Sequence, residues 1–342
     1  MVIGRNWRVS AFALAAAIGG AGPAMADVAA FYKDHPITIL VGNNAGVSYD
    51  ISARLIGRHI GPHIPGAPAI IAKNMPGASG LIAANHAYHV APQDGTIIVA
   101  TLPSIPMRQI LGDENVKFDA RRLQWIGNPA TPVNVMATFH TSPVKTVADA
   151  VRRPVLMGAT TRDSTGGIQA ALANNLVGTQ FKLVTGYKGN DIDLAMERGE
   201  VDGRAAQFWD GWKLAKPDWV RDGKLNVLVQ FGVARSRELP DVPLITELVK
   251  DEEQRRIVEL FVIPIAMGRP LFVGAAVPAE RVQALREGFR RTMADPAFRR
   301  EAEKIDLEVE PMYGEDLQAL VARMMATPAD IVAKAKQAME YK

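Results

Sequence analysis

The stretch 37–60 constrains the fold of this chain more than any other. It opens with the apolar run 37–41 (ITILV), passes through the loop 42–46 (GNNAG) and restarts with apolar residues at helical spacing, from Ile51 to Ile60. A strand, a small-residue loop and a helix form the repeating unit of α/β proteins. The free N–H groups and the positive dipole end at the start of such a helix favour binding of a small anion.

The same unit recurs along the chain. Strand-like runs at 69–73, 96–101, 155–159 and 181–185 are each followed by a turn or a loop rich in glycine or hydroxyl groups. Between 125 and 137 two strand-like pieces follow each other without a helix, which is how a chain can pass from one domain to the next. Repeated strand–helix units predict mainly parallel sheets flanked by helices, and we expect two such α/β lobes.

Residues 1–26 have the pattern of a secretory signal. Arg5 and Arg8 form a positive segment before a short apolar run, 9–18, and an A-x-A cleavage motif ends at Ala26. The apolar run is too short for a lasting membrane anchor, although an uncleaved anchor is the alternative. We therefore expect export and cleavage after Ala26.

The composition excludes several classes of protein. The formal charge of the 342-residue chain is +3, and loss of the two arginines in the signal leaves +1, which gives no reason to expect nucleic acid as a partner. Cysteine is absent, so disulfides, thiol nucleophiles and cysteine metal sites are excluded. Four histidines lie at 59, 63, 86 and 89; His86 and His89 are close enough on a helix to share a metal ion, but surface or packing roles are favoured. We expect no metal and no cofactor.

The chain contains no catalytic or nucleotide-binding motif with a defined spacing. We find no G-x-S-x-G, no H-E-x-x-H and no G-x-x-x-x-G-K-[ST] sequence. The run 160–164 (TTRDS) offers hydroxyl groups without a base at a recognisable spacing. Because catalytic triads assemble from distant positions, an exported hydrolase remains an alternative to a non-enzyme.

The polar loops between strands and helices are the candidate binding site. Ligands of open α/β sheets bind at the carboxyl ends of the strands, so these loops should converge on one cleft between the lobes. Arg162 is either an ion-pair partner of the ligand or a solvated loop residue. Neutral donors around a small anion would come from Asn43, Asn44, Ser79, Thr101, Ser104, Thr161, Ser164 and Thr165.

Several motifs, in this order, resemble those of one family, the extracytoplasmic solute receptors of the tripartite tricarboxylate transporter family (TctC/Bug type). The motifs are 48–55, 74–80 (NMPGASG, similar to N-x-P-G-A-x-G), 92–96 (PQDGT), 186–189 (Y-x-G), 198–202 (G-x-V-D), and 239–243 (P-D-V-P) with Glu247. The resemblance covers nearly the whole chain after the signal. The first loop departs from the usual P-x-x-x-G-G pattern, and the second-lobe loop has TTRDS at 160–164 where a glycine-serine pair is common.

The resemblance implies a two-lobed periplasmic binding protein of the type II, Venus flytrap architecture. It implies a monomer that closes on a small organic carboxylate and passes it to the membrane subunits of a secondary transporter; a sensory receptor that passes the signal to a sensor protein is the alternative. We expect lobe I to contain 27–132 and 260–342, and lobe II to contain 133–259.

The resemblance also assigns ligand contacts. The first two loops would hold a carboxylate, largely through backbone N–H groups and water, while Asp50 orients the loop or a ligand hydrogen. The second lobe would close over the other end of the ligand. The expected binding residues are Asn44, Ala45, Gly46, Val47, Ser48, Asp50, Pro76, Gly77, Ala78, Ser79, Gly80, Thr101 and Ser104 in the first lobe, and Thr161, Ser164, Thr165, Tyr187 and Gly189 in the second.

Overall fold

The computed structural model describes residues 23–46, 48–187, 191–305 and 307–340. Its α-helices, numbered α1–α15 in chain order, are Pro23–Asp34, Ser48–Ile60, Leu81–His89, Ile105–Ile110, Val147–Arg152, Thr165–Leu172, Asp191–Glu197, Trp209–Ala215, Pro217–Arg221, Ile245–Leu248, Glu252–Met267, Ala279–Ala294, Pro296–Glu303, Gly314–Met325 and Ala329–Ala338. Its strands, β1–β11, are Ile37–Val41, Ile70–Asn74, Ile97–Ala100, Gln124–Asn128, Asn134–Phe139, Val155–Gly158, Phe181–Val184, Gly203–Phe208, Leu225–Phe231, Leu271–Val273 and Met312–Tyr313.

The strands form two separate sheets. The first has the order β11-β4-β10-β3-β1-β2, and the second the order β7-β6-β8-β5-β9. We call each sheet with its flanking helices a lobe, so the first lobe contains β1 and the second contains β6. The predicted two-lobed α/β fold is therefore confirmed.

Both sheets are mixed and not mainly parallel as the sequence predicted, since four of the nine strand pairs in the described structure are parallel. The parallel parts are those built from strand–loop–helix units. In the first lobe β1 pairs in parallel with β2 and β3, whereas β10 lies antiparallel between β3 and β4. In the second lobe β6 pairs in parallel with β7 and β8, whereas β5 is antiparallel to β8 and β9. A parallel pair needs a crossover connection such as a helix. The antiparallel strands β5 and β10 lie next to the two points where the chain changes lobe.

The chain passes between the lobes twice, and Asn128 joins the two passages. The first passage runs from β4 to β5, as the two consecutive strands in the sequence predicted, and the second follows α11. The buried Asn128 side chain donates from Nδ2 to the Ala266 carbonyl (3.1 Å) and accepts at Oδ1 from the Arg269 N–H (3.0 Å). The expected lobe boundary after residue 132 lies between β4 and β5, and the one after residue 259 lies inside α11; the assignment of residues to lobes stays a prediction.

The first-lobe core explains why the stretch 37–60 folds as it does. Ile37, Ile39 and Val41 alternate along β1 and are fully buried. They belong to one apolar cluster with the helical face of Leu55 and Ile60 in α2. Each such side chain contributes about 1.5–3 kcal/mol when fully buried. This packing fixes where β1 ends, and therefore where the loop after it begins.

No helix within the described residues is both long enough and apolar enough to cross a membrane.

Candidate functional site

A cavity of about 500 Å³ lies between the two lobes. The first lobe contributes its lining from the loop after β3 and from α2, the second lobe from β6, α6 and β8, and α11 forms part of the wall. The described residues that line it are Tyr49, Leu102, Pro103, Ser104, Met107, Asn134, Gly158, Ala159, Thr160, Ser164, Thr165, Gly166, Ile168, Gln169, Ile192, Arg204, Ala206, Gln207, Phe208, Phe261, Pro264, Ile265 and Gly268. Most of this surface is apolar, with a few polar groups placed at its ends, as in many small-molecule sites.

The start of α6 forms the polar end of the cavity in the second lobe. Ser164 is the N-cap: its Oγ accepts from the Gly167 N–H (3.3 Å) and donates to the Thr161 carbonyl (2.7 Å). The first intrahelical bond runs from the Ile168 N–H to the Ser164 carbonyl (2.9 Å). The N–H groups of Thr165 and Gly166 precede this bond, so they lack partners within the helix and point where the helix dipole is positive. This end of the cavity suits an anion.

Three carboxamide side chains also face the cavity from the second lobe. Asn134 begins β5, Gln207 lies at the end of β8, and Gln169 lies one turn into α6. Gln169 is only 1% exposed, and neither its Nε2 nor its Oε1 has a hydrogen-bond partner among the described residues. Buried polar groups are nearly always paired in folded proteins, so this side chain marks a place where a partner belongs.

An ion pair supplies the charge on this side of the cavity. Arg204 in β8 donates from Nη1 to Asp193 Oδ1 (2.9 Å) and from Nε to the Ala206 carbonyl (3.2 Å). Both side chains are buried, at 8% and 0% residue exposure. Arg204 is the only residue with a formal charge among the described residues that line the cavity. Because Asp193 neutralises it, the described part of the second-lobe wall carries little net charge.

The first lobe contributes Tyr49 and the loop that follows β3. Tyr49 lies in the first turn of α2, and burial raises the pKa of its hydroxyl, although the nearby Arg269 guanidinium opposes this effect. The hydroxyl therefore stays protonated at neutral pH and is able to donate a hydrogen bond. Ser104 lies beside it in the lining, with the apolar side chains of Leu102 and Met107.

The first loop is organised around Asp50. Its buried carboxylate accepts from the Gly46 N–H (2.9 Å), from Arg54 Nε (2.9 and 3.0 Å) and from Asn74 Nδ2 (2.8 Å). Burial alone raises the pKa of Asp50, but these hydrogen bonds and the charge of Arg54 outweigh it and hold the pKa below its usual value. Asn74 Nδ2 also donates to the Asn43 carbonyl (2.9 Å). Asp50 thus joins the loops after β1 and β2.

The second loop packs directly against the first. An added Cβ at Gly80, where φ is +87°, would lie 2.2 Å from Thr101 Oγ1, and one at Gly42 would lie 3.0 Å from the Gly80 Cα. Only glycine fits this left-handed position at such a distance. Arg108 Nη1 donates to the Ala78 carbonyl (2.7 Å) and holds the loop from α4. The carboxyl ends of β1, β2 and β3 therefore form one compact platform.

The predicted binding residues fall into three groups. Ser104, Ser164 and Thr165 line the cavity. Asn44, Ala45, Gly46, Ser48, Asp50, Pro76, Gly77, Ala78, Ser79, Gly80 and Thr101 lie on or beside the platform at the ends of β1, β2 and β3, and Thr161 and Tyr187 lie after β6 and β7. Ser48 and Ser79 apart, whose side chains are not among those described, none of these residues lines this cavity. Val47 and Gly189 lie outside the described residues. Ligand contact by these residues stays a prediction.

Several residues that line the cavity were not predicted from the sequence. A signal existed for two of them. Gln169 lies four residues after Thr165 and so on the same helical face, and Arg204 places a charge next to the small residues of a strand. No local signal marked Asn134 or Phe208, because only the pairing of β5 with β8 brings them to the cavity.

The histidines have packing roles in the described structure. His59 Nε2 lies 2.7 Å from Glu301 Oε2, and His63 Nε2 lies 3.1 Å from Asp295 Oδ2, so these two contacts join α2 and the turn after it to α13 and its N-cap. His89 Nε2 lies 2.5 Å from the Lys117 carbonyl. Among the residues described, no group of three or more histidine, aspartate or glutamate side chains is placed to hold a metal ion.

The chain matches known proteins along most of its length. The family profile "Tripartite tricarboxylate transporter family receptor" matches residues 63–337. A UPF0065 protein encoded in the gbd 5′ region of Cupriavidus necator is 28% identical, over 96% of this chain and 95% of that protein.

Solved structures share the fold. A TctC solute-binding protein from Polaromonas, without ligand, superposes with a TM-score of 0.71 at 18% identity, covering 89% of this chain and 99% of the other. The R. palustris protein Rpa4515 with adipate gives 0.56 at 21% identity, covering 89% and 98%. MatC from Rhodopseudomonas palustris with bound malate gives 0.54 at 19% identity, covering 90% and 99%.

The family and the fold are thus those of solute-binding receptors. Receptors of this family are periplasmic, bind small carboxylates and work with the membrane components of a transporter. The match extends from within the first lobe, across the second lobe and back through α14. By this match, the chain belongs to the receptors of the tripartite tricarboxylate transporter family.

Proposed function

We propose that this protein is an exported receptor that captures a small organic carboxylate in the interlobe cavity and delivers it to the membrane subunits of a secondary transporter. The observation that carries the proposal is the cavity of about 500 Å³, lined from both lobes, with the open start of α6 at one end. Pockets for small molecules are commonly about 300–1,000 Å³ in volume. Two proteins of the same fold hold adipate and malate.

In this proposal the ligand carboxylate accepts hydrogen bonds from the N–H groups of Thr165 and Gly166 and from the Thr165 hydroxyl. Ser104 and Tyr49 donate from the first lobe when the lobes close. Closure is a population shift that the ligand drives through contacts with both lobes at once. The platform residues 44–46, Ser48, Asp50 and 76–80 are proposed as additional contacts of the closed state.

We propose further that the protein binds its ligand without turning it over. Ser164, one of the hydroxyl residues that line the cavity, already donates to the Thr161 carbonyl and caps α6. A nucleophilic serine needs a base that accepts its proton instead. Export, cleavage after Ala26 and action as a monomer in the periplasm belong to the same proposal.

A thermal-shift screen and calorimetry with small organic acids test the proposal. We expect at least one acid, malate and adipate being the first choices, to raise the melting temperature and to bind with one-to-one stoichiometry. Mass spectrometry of the protein purified under native conditions should detect an organic acid carried through purification. If no acid in a broad panel shifts the melting temperature, the protein is not a carboxylate receptor.

The Thr165→Val variant tests the place of binding. It removes one hydroxyl with little change in volume and should weaken acid binding about fivefold, the usual effect of one lost hydrogen bond. Thr141→Val, at an exposed position between β5 and α5, is the matched control and should bind like the wild type. Equal affinity of the Thr165 variant and the control would place the ligand elsewhere.

A further inference from the structure

The unpaired carboxamide of Gln169 is the starting point for a further inference, which rests on the proposed carboxylate receptor. Its Nε2 donor and its Oε1 acceptor are both buried and both without a hydrogen-bond partner among the described residues. Gln169 follows Thr165 by four residues, so its backbone lies about 6 Å further along the same face of α6. If the carboxylate of a ligand lies at the start of α6, a second polar group about 6 Å away along the ligand can reach Gln169.

The electrostatics at Gln169 disfavour a second negative charge. Arg204 is the only charged lining residue among those described, and Asp193 already neutralises it at 2.9 Å. The second carboxylate oxygen of Asp193, Oδ2, is buried without a hydrogen-bond partner in the described structure. A second ligand carboxylate in this part of the cavity would be desolvated without an unpaired cation among the described lining residues to offset it.

Hydrogen-bond chemistry leads to the same conclusion. A carboxylate only accepts hydrogen bonds, so it would satisfy Nε2 and leave Oε1 of Gln169 buried and unpaired. A carboxamide or a hydroxyl both donates and accepts, so it satisfies the donor and the acceptor of Gln169 together. The carboxamides of Asn134 and Gln207, which also line the cavity, likewise both donate and accept hydrogen bonds.

We propose that Gln169 is the specificity-determining residue of the cavity. It selects ligands that carry one carboxylate and, beyond a short carbon chain, a neutral group that both donates and accepts hydrogen bonds. Diacids of equal length are bound more weakly. The ligand class is thus the half-amides and hydroxy acids, in contrast to the dicarboxylates.

Calorimetry on the full wild-type chain tests this with matched acids of four to six carbons. At each length the diacid, its half-amide and the simple monoacid are compared: succinate, succinamate and butyrate, and the corresponding five- and six-carbon sets. At the length that binds most tightly, the half-amide should bind at least about tenfold more tightly than the diacid and the monoacid, because only it pairs both groups of Gln169.

The Gln169→Leu variant assigns this preference to the residue. Leucine keeps the apolar packing and removes both hydrogen-bonding groups, so the half-amide should lose its tenfold advantage while the monoacid binds within about threefold of wild type. Gln337→Leu, an exposed glutamine in α15, is the matched control and should keep the wild-type order. Circular dichroism checks that each variant is folded.

Each outcome decides one of the two proposals. If acids bind, but the affinity for the diacid equals or exceeds that for the half-amide, the proposed selectivity is wrong and the receptor function is retained. A tenfold preference that survives in Gln169→Leu overturns the role of this residue. If that variant does not fold, the wild-type comparison of half-amide with diacid decides alone. Failure of every acid to bind overturns the receptor function and this inference with it.

Discussion

At the scale of single residues, Asp50 shows how one carboxylate organises two loops. Its two oxygens accept from Arg54, Asn74 and the Gly46 N–H, and it is 2% exposed, whereas the Arg54 side chain is 40% exposed. The charge of Asp50 is thus offset by neighbours within its own lobe. Its hydrogen bonds link the loops after β1 and β2, while the orientation of a ligand by Asp50 stays a prediction.

Replacing Asp50 by asparagine tests this role. The new amide presents an NH₂ group to donors that needed an acceptor, so we expect the free energy of unfolding to fall by about 1–3 kcal/mol in urea denaturation. Asp222→Asn is the matched control, because Asp222 pairs with Arg221 at an exposed position; its cost should be below about 1 kcal/mol. Equal costs in the two variants would contradict a structural role for the Asp50 network.

The pH dependence of the same comparison gives a second readout. The folded-state pKa of Asp50 is depressed, so its contribution to stability is fully present above the unfolded pKa, about 3.9, and is lost as pH falls through the lower folded value. The stability difference between wild type and Asp50→Asn should therefore be constant from pH 7 to about pH 5 and shrink below about pH 4. A difference in the free energy of unfolding that grows as the pH falls would contradict a depressed pKa of Asp50.

At the scale of elements, the junction between the 160–164 loop and α6 depends on Gly167. An added Cβ at this position would lie 2.0 Å from the Arg162 carbonyl oxygen and 2.7 Å from that of Thr161. These are backbone atoms, so a larger residue would have to displace the loop itself. The same loop carries Ser164 and leads into the anion-binding end of the cavity.

We therefore expect Gly167→Ala to destabilise the protein although alanine is the better helix former. Intrinsic propensity favours alanine by about 1 kcal/mol, but the contact with the loop backbone should reverse this to a net loss of about 1–3 kcal/mol, with weaker acid binding. Gly57→Ala in α2 is the control, because the atoms nearest its added Cβ are methyl groups of Ile39 and Ile70, each 3.3 Å away. Urea denaturation and calorimetry measure both effects. A more stable Gly167→Ala protein with unchanged affinity would contradict the prediction.

Some elements of the fold could be predicted from the sequence and others could not. β1, α2 and their loop were predictable because alternation, helical spacing and turn residues are local signals. The place of β10 between β3 and β4 was not, since the run 271–273 carries no information about its neighbours. For the site, Ser104, Ser164 and Thr165 were predictable as loop residues after strands. The face of α6 that carries Gln169 was predictable from its spacing to Thr165. Its burial without a hydrogen-bond partner among the described residues was not, because only tertiary structure creates it.

At the scale of the whole molecule, apolar side chains of the two lobes face a shared space. Ile51 and Ile305 of the first lobe are 42% and 40% exposed, and Phe208 and Leu214 of the second lobe are 41% and 60% exposed. All four line one cavity of about 210 Å³. Exposed apolar residues that cluster commonly mark a surface that becomes buried in another state. We propose that closure of the lobes on the ligand buries this cluster.

Replacing Leu214 by aspartate should therefore weaken ligand binding without weakening the unliganded fold. The exposed Leu214 side chain contributes little to the stability of the open form. A carboxylate buried between closing lobes raises the free energy of the closed form. The binding free energy of a ligand that binds by closure is weakened by the same amount. We expect at least about a tenfold loss for the tightest-binding acid in calorimetry, and a smaller ligand-induced decrease in the radius of gyration by X-ray scattering. Val90→Asp, at a 70% exposed apolar position after α3, is the control and should bind like the wild type. A Leu214→Asp protein with wild-type affinity and compaction would mean that closure leaves this cluster exposed.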